Sequence, residues 1–320
     1  GKPTYRSAIS KMGRGGLSAL KRRMGGRKKE IVAETAVDGA SSTGDATVGF
    51  KSTGDQDLDR ILLRRRVIAM QRLKSMRARF TPSDMSPAQA HFCSDDTLIR
   101  YLEARDGDVD KAAAMLKDSL SWREDMWDTK KDLGCPHCRT DPRAHCFFPI
   151  GEDTRGWHLV YSCAARAADK HAEHSIEHMA GKMEELFDRG AKPGKVVWII
   201  DMAGFGWRDM DTSMARTVVP IFSNHYPERM GQIVVLNPPA IFKGLWETLS
   251  TIVDPVTRRK VVMLRGDKDA YFARYMTMDQ RNFMEAILKT KAMPGAYPED
   301  EKKRVEAAYN GKPARQRSWP

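Results

Sequence analysis

The sequence predicts an α/β fold built around a largely parallel sheet, and three observations carry that prediction. Four short segments, His158–Ala164, Val196–Asp201, Ile233–Asn237 and Val261–Arg265, read as buried strands, and three of them are apolar runs rich in valine or isoleucine. Helical stretches over about 171–189, 209–225 and 240–252 lie between them. The turns at Lys192-Pro193-Gly194 and Tyr226-Pro227…Gly231 lead into strands. Strands that alternate with helices bury both faces of a sheet through crossover connections.

Read in order, residues 1–56 are rich in Gly, Ser, Thr and charge, with stretches such as Gly13-Arg14-Gly15-Gly16 that offer little to bury. A disordered basic arm is expected there. A helix from about Asp57 to Phe80 follows, because Leu58, Leu62, Ala69, Leu73, Met76 and Phe80 share one stripe. That helix either packs on the next domain or lies on a membrane surface. Pro82 and Pro87 break the chain. Asp95 or Asp96 starts a helix that runs through about Arg105, and another runs from about Val109 to Trp127. A small helical lobe over 57–133, the sheet domain over 134–300 and a basic tail over 301–320 complete the division.

Charge is unevenly spread. Residues 1–90 carry 19 Lys+Arg against 8 Asp+Glu, whereas residues 91–320 carry 35 against 34. A nearly neutral globular part argues against a nucleic-acid-binding core, so no nucleic acid is expected as a partner. The arm, Arg-rich and free of acid to residue 29, suits an anionic membrane surface, RNA or a receptor that reads an organelle address equally well. No apolar run is long enough to span a bilayer, and no secretory h-region is visible. Five cysteines without framework spacing fit a reducing compartment. The expectation is a monomer in the cytoplasm, bound peripherally to membranes.

Conventional catalytic motifs are missing. There is no Gly-x-Ser-x-Gly elbow. Gly190…Gly194-Lys195 is one residue short of a phosphate loop and precedes a strand, and Gly204-Phe205-Gly206 lacks the third glycine of a dinucleotide site. Cys135-Pro136-His137-Cys138, with His145 and Cys146 nearby, has zinc-compatible spacing, but lacking a second Cys-x-x-Cys pair it reads more plainly as a loop of free thiols. His171, His174 and His178 stand at helical steps, where a solvated first turn is the plainer reading. No metal, cofactor or enzymatic activity is assigned.

The stretch from His225 to Leu264 is the most distinctive. It runs helix, Tyr226-Pro227-Glu228-Arg229 turn, strand, apolar helix, Asp254-Pro255-Val256-Thr257 cap, strand. Together with Asp95–Arg105, Asp108–Ala113, Trp122-Arg123 and Val196–Gly204, this order resembles the CRAL-TRIO lipid-binding domain, most closely its phosphatidylinositol-transfer branch. The match covers about Asp95 to Leu264.

The resemblance implies a mostly parallel, mixed sheet flooring an apolar pocket, closed by a gating helix at about Ala240–Val253. Trp198, Ile200, Phe222 and Val235 are its expected pocket residues, and Ile241, Phe242, Leu245, Trp246, Leu249 and Ile252 its expected gate. It also implies a lipid-headgroup set of Arg105, Glu228, Thr257 and Lys260. Here the neighbour of that arginine is Asp106 where the family has a second basic residue. Val196, Trp198 and His158 depart from its phosphatidylcholine set. Each headgroup residue also has a purely structural reading: Glu228 and Lys260 as an ion pair, Arg105 as a cap on its own helix.

The implied function is a carrier of one phospholipid, with phosphatidylinositol first. The other readings are a carrier of a tocopherol-like or retinoid-like ligand, or a membrane-tethered lipid-sensing module without transfer. Burial of one CH₂ is worth about 0.8 kcal/mol, so two acyl tails represent on the order of 20 kcal/mol. Such a ligand exchanges on a membrane, not through water.

Overall fold

The computed structural model describes residues 50–128, 133–206, 212–251, 253–266, 268–303 and 305. The arm up to residue 49 and most of the basic tail lie outside them. Helix α1 (Gln56–Arg77) opens on Asp55, whose carboxylate accepts the Leu58 N–H at 3.0 Å. Asp57 and Asp59 in its first turn and Lys74 and Arg77 in its last complement the helix dipole. Its stripe is buried at Leu58, Leu62, Ala69 and Met76, with Phe80 buried just beyond its end, so this helix packs on the protein.

The chain breaks at Pro82 and Pro87 as expected, and each proline opens a new element: Pro82 starts a single 3-10 turn, Pro82–Asp84. Pro87 takes the first position of a short helix, α2 (Pro87–Phe92), which Ser86 and Gln89 close with a capping box. Helix α3 (Asp95–Glu103) is capped by Ser94, and α4 (Val109–Arg123) by Asp108. These helices enclose one apolar core around Leu98, Tyr101, Leu102 and Leu116.

After α5 (Pro136–Thr140), the sheet has five strands in sequence order: β1 (Phe147–Glu152), β2 (His158–Cys163), β3 (Val196–Asp201), β4 (Met230–Leu236) and β5 (Val261–Leu264). β1 runs antiparallel to β2, and the other pairs are parallel. β1 is an addition to the four expected strands. Its Pro149 and Gly151, which flank a register shift, hide its strand character and suit an edge position.

Three crossovers join neighbouring parallel strands, so all three fall on the same face. They carry α6 (Ala172–Leu186), α7 (Thr212–His225), and α8 (Phe242–Ser250) with α9 (Pro255–Arg259). The opposite face packs Leu159, Tyr161, Val197, Ile199 and Val234 against α10 (Lys268–Tyr275) and α11 (Met278–Lys289). The fully buried Arg166 holds α11 there, donating to the Ile287 and Thr290 carbonyls at 2.8 Å each.

Register puts two rows of side chains on the crossover face: Val160–Trp198–Ile233–Val261 and Ser162–Ile200–Val235–Met263. Cover is uneven along the rows and thinnest at β5, although Val235, between Ile200 and Met263, is buried. Val160 is buried, Trp198, Ile233 and Val261 are half-buried, and Met263 is 38% exposed.

Candidate functional site

The site has an apolar part and a charged part, adjacent along the strands. The apolar part is the thinly covered end of the crossover face. Phe242 and Trp246 of α8 pack there with Ile200, Ile233, Val235 and Val261. Phe222 of α7 joins Trp198 in the neighbouring cluster, and the Trp198 indole N–H donates to Ser162 Oγ at 2.7 Å. The expected gate helix is therefore α8, seated directly on the expected pocket residues. Ile241 is half-buried just ahead of it. The side chains of Leu245 and Leu249, and residue Ile252, lie outside the described residues.

The charged part gathers at the amino ends of the parallel strands. Glu228 stands just before β4 and Lys260 just before β5, with Lys260 Nζ 3.0 Å from Glu228 Oε2. Only 12% of the Glu228 side chain and 2% of the Lys260 side chain is exposed. Glu228 takes a left-handed backbone, φ 56°, which aims its side chain at the cost of local strain. Burial opposes its charge, but the Lys260 and Lys195 ammonium groups overcome this and hold the carboxyl down at about 2. Burial, then the Glu228 charge, push the neighbouring Glu103 up to about 7.

Beside Glu228 opens a cavity of about 360 Å³. Five cationic side chains line it, Lys51, Arg65, Arg66, Arg100 and Lys195, against three carboxylates, Asp96, Glu103 and Glu228. Arg65 reaches both Asp106 (2.9 Å) and Glu228 (4.0 Å). Arg66 lies 3.7 Å from Glu103 and keeps a buried Nε–H with no hydrogen-bond partner among the described residues. A cationic excess with an unsatisfied buried donor suits an anion. A second cavity of about 460 Å³ has Lys260, Arg259 and Arg274 in its wall.

Of the headgroup set, the structure brings Glu228 and Lys260 together. Thr257 sits half-buried in α9, its carbonyl accepting the Lys260 N–H at 3.0 Å. Arg105 follows α3 and donates to the Ala104 carbonyl at 3.0 Å. The lining of the smaller cavity takes its arginines from Arg65, Arg66 and Arg100.

Sequence reasoning missed Arg65, Arg66, Arg100, Glu103 and Lys195. One signal was present: the α1 stripe steps seven residues from Leu62 to Ala69, and Arg65 fills that step on the buried side. An arginine on a core-facing stripe calls for an internal partner. Away from this site, Cys135, Cys138, His145 and His178 converge in a buried group.

The profile of the CRAL/TRIO domain matches residues 143–282, and that of the CRAL/TRIO, N-terminal domain matches residues 73–118. "Protein real-time" of Anopheles gambiae is 28% identical over 199 residues, covering 53% of this chain and 27% of that protein. "Phosphatidylinositol transfer protein CSR1" of Eremothecium gossypii is 25% identical over 189 residues, covering 55% of this chain and 43% of that protein. The chain spans between about a quarter and a half of the length of the curated relatives it matches. The crystal structure of Sfh5 superposes with a TM-score of 0.46 at 16% identity, covering 70% of this chain and 85% of that one.

Proposed function

The chain belongs to the CRAL/TRIO domain family, a lipid-binding and lipid-transfer family, and from that premise we propose that it carries one membrane phospholipid, phosphatidylinositol first, with its tails on the floor under α8 and its headgroup in the cavity beside Glu228. The thinly covered floor carries the proposal. Apolar rows that end in an exposed Met263, under a helix that contributes Phe242 and Trp246, leave apolar surface for an acyl chain to cover. Val261 on that floor directly follows Lys260 of the charged cluster in the chain, so the proposed tail and headgroup positions are contiguous. The five cations favour a phosphodiester, and Glu228 and Glu103 offer acceptors to inositol hydroxyls. Contact with an anionic leaflet through the basic arm belongs to the same reading, with each surface Lys or Arg adding about 1 kcal/mol near the membrane.

One observation favours a second reading. Glu228 and Lys260 already satisfy each other, which suits a carrier whose ligand lacks a phosphoinositol headgroup. Native mass spectrometry of the purified chain after incubation with mixed liposomes, followed by lipid extraction, separates the two. Phosphatidylinositol at about one per chain supports the first reading, a neutral apolar lipid the second, and a chain that stays empty overturns both.

A further inference from the structure

We infer that Cys135, Cys138, His145 and His178 form a closed, tetrahedral structural zinc site. In the sequence these residues belong to two separate groups, the Cys-x-x-Cys segment with His145 and the helical histidine series ending at His178. The fold merges them. α5 presents the cysteines, the segment ahead of β1 brings His145, and α6 lays His178 over the same point.

The distances are those of an ion cage. His145 Nδ1 lies 3.5 Å from Cys135 Sγ and 3.4 Å from Cys138 Sγ, and His178 Nδ1 lies 3.5 Å from Cys138 Sγ. Tetrahedral zinc, with Zn–S near 2.3 Å and Zn–N near 2.1 Å, places sulfur and nitrogen about 3.6 Å apart. All four ligand atoms lie within 4.8 Å of one another. Cys146, nearby in sequence, is buried in the adjoining core and is not among the four.

The outer contacts fix the ring orientations. His178 Nε2 is 2.8 Å from the Phe147 carbonyl oxygen, which can only accept. Nε2 therefore carries the proton, and the Nδ1 lone pair faces the sulfurs. On the far side of His145, Nε2 lies 3.9 Å from the Asp169 carboxylate, which the His174 ring and the His171 backbone N–H also hold. A carbonyl and a carboxylate behind metal-bound imidazoles are the usual outer partners of such sites.

Charge and burial point the same way. Two thiolates, two neutral imidazoles and Zn²⁺ sum to zero, which a water-free site tolerates. The four residues are 5%, 1%, 2% and 1% exposed in chain order, and four protein ligands leave no open coordination position. The ion would therefore be structural, tying α5 and the start of β1 to α6.

The test uses the untagged full chain. Elemental analysis should recover about one zinc per chain. Cobalt(II) exchanged into the site should show thiolate-to-cobalt charge-transfer bands and the intense visible bands of a tetrahedral ion. Cys138→Ser should lose most of the zinc. Should that variant fail to fold, the cobalt spectrum of the unmutated chain still decides. Three results overturn the assignment: a folded chain that recovers no zinc and gives no charge-transfer bands with cobalt, a Cys135–Cys138 disulfide in non-reducing peptide maps, or a cobalt spectrum unchanged by Cys138→Ser.

Discussion

The guanidinium of Arg123 and the carboxylate of Glu184 meet face to face in a two-point pair that joins the helical lobe to the sheet domain. Nη1 lies 2.8 Å from Oε1, Nη2 closes on Oε2, and the two side chains are 3% and 0% exposed. The Tyr226 hydroxyl donates to the same carboxylate at 2.8 Å, and Arg123 Nη2 donates to the Arg189 carbonyl. Opening this joint strands a charge in a low-dielectric interior. Glu184→Gln should therefore cost about 3–5 kcal/mol, read as a lower urea midpoint. Replacing both partners with Met and Leu should recover part of that loss. A double variant no more stable than the single one would show that packing, not the stranded charge, sets the cost.

A second prediction concerns acid. His225 stacks on Trp122 at 4.3 Å, and burial followed by the Arg123 charge pushes its pKa down to about 3. A histidine neutral in the folded state and charged in the unfolded one contributes stability present above pH 6.5 and lost as pH falls towards 3. Between pH 7 and pH 4 that amounts to roughly 3 kcal/mol. Unfolding of the protein and of His225→Gln, compared across this range, should converge at low pH.

The cavity beside Glu228 gives an opposite pH sign. Glu103 has its pKa raised to about 7, so its contribution to stability is present below about pH 4.5 and lost as pH rises through 7. Over the same rise the cavity gains a negative charge. Phosphatidylinositol transfer from vesicles should weaken between pH 6 and 8, and Glu103→Gln should flatten that dependence. An unchanged profile in the variant would remove Glu103 from the site.

Arg66 tests the site without disturbing the Glu228–Lys260 pair. Its buried Nε–H, which has no hydrogen-bond partner among the described residues, is a charged donor worth about 1.5–3 kcal/mol when it meets a phosphate. Arg66→Gln should weaken phosphatidylinositol binding by about tenfold or more. Binding of a neutral apolar lipid should be unaffected.

Met263 tests the floor. It is 38% exposed on the last strand, so Met263→Glu should change stability by about 0.5 kcal/mol or less. Lipid loading, measured by native mass spectrometry, should fall sharply, because a carboxylate now stands where the proposed reading places an acyl chain. Full loading in this variant would place the tails elsewhere.

How much of this was legible in the residues varies with the physics of each part. The valine and isoleucine runs of β3 and β4 announce parallel strands buried on both faces, and Val261-Val262 of β5 read the same way although that strand is only partly covered. β1 stayed hidden because Pro149 and Gly151 break the strand pattern, and only pairing with β2 holds it extended. The Glu228–Lys260 contact joins two residues of the stretch between His225 and Leu264 as the ion pair that their structural reading describes. The cavity's arginines come instead from α1 and α3, and the approach of Arg65 to Glu228 spans more than half the chain. Local spacing carries no record of such an approach, apart from the arginine placed on a buried stripe. The cysteines and histidines likewise fall into two sequence groups, and only the packing of α6 over β1 brings them to one point.

The two outer strands of the sheet also bear on how such a molecule survives its work. On the proposed carrier reading, each round of lipid exchange would uncover greasy surface, the circumstance in which proteins recruit one another by adding strand to strand. Here one border is interrupted by Pro149 and a register shift, and the other, β5, is four residues long. Neither offers a long, regular row of unpaired backbone groups for a second molecule to zip onto. The sheet can be laid bare on its broad face while its rims stay unreceptive, so opening for a ligand need not become a step towards aggregation.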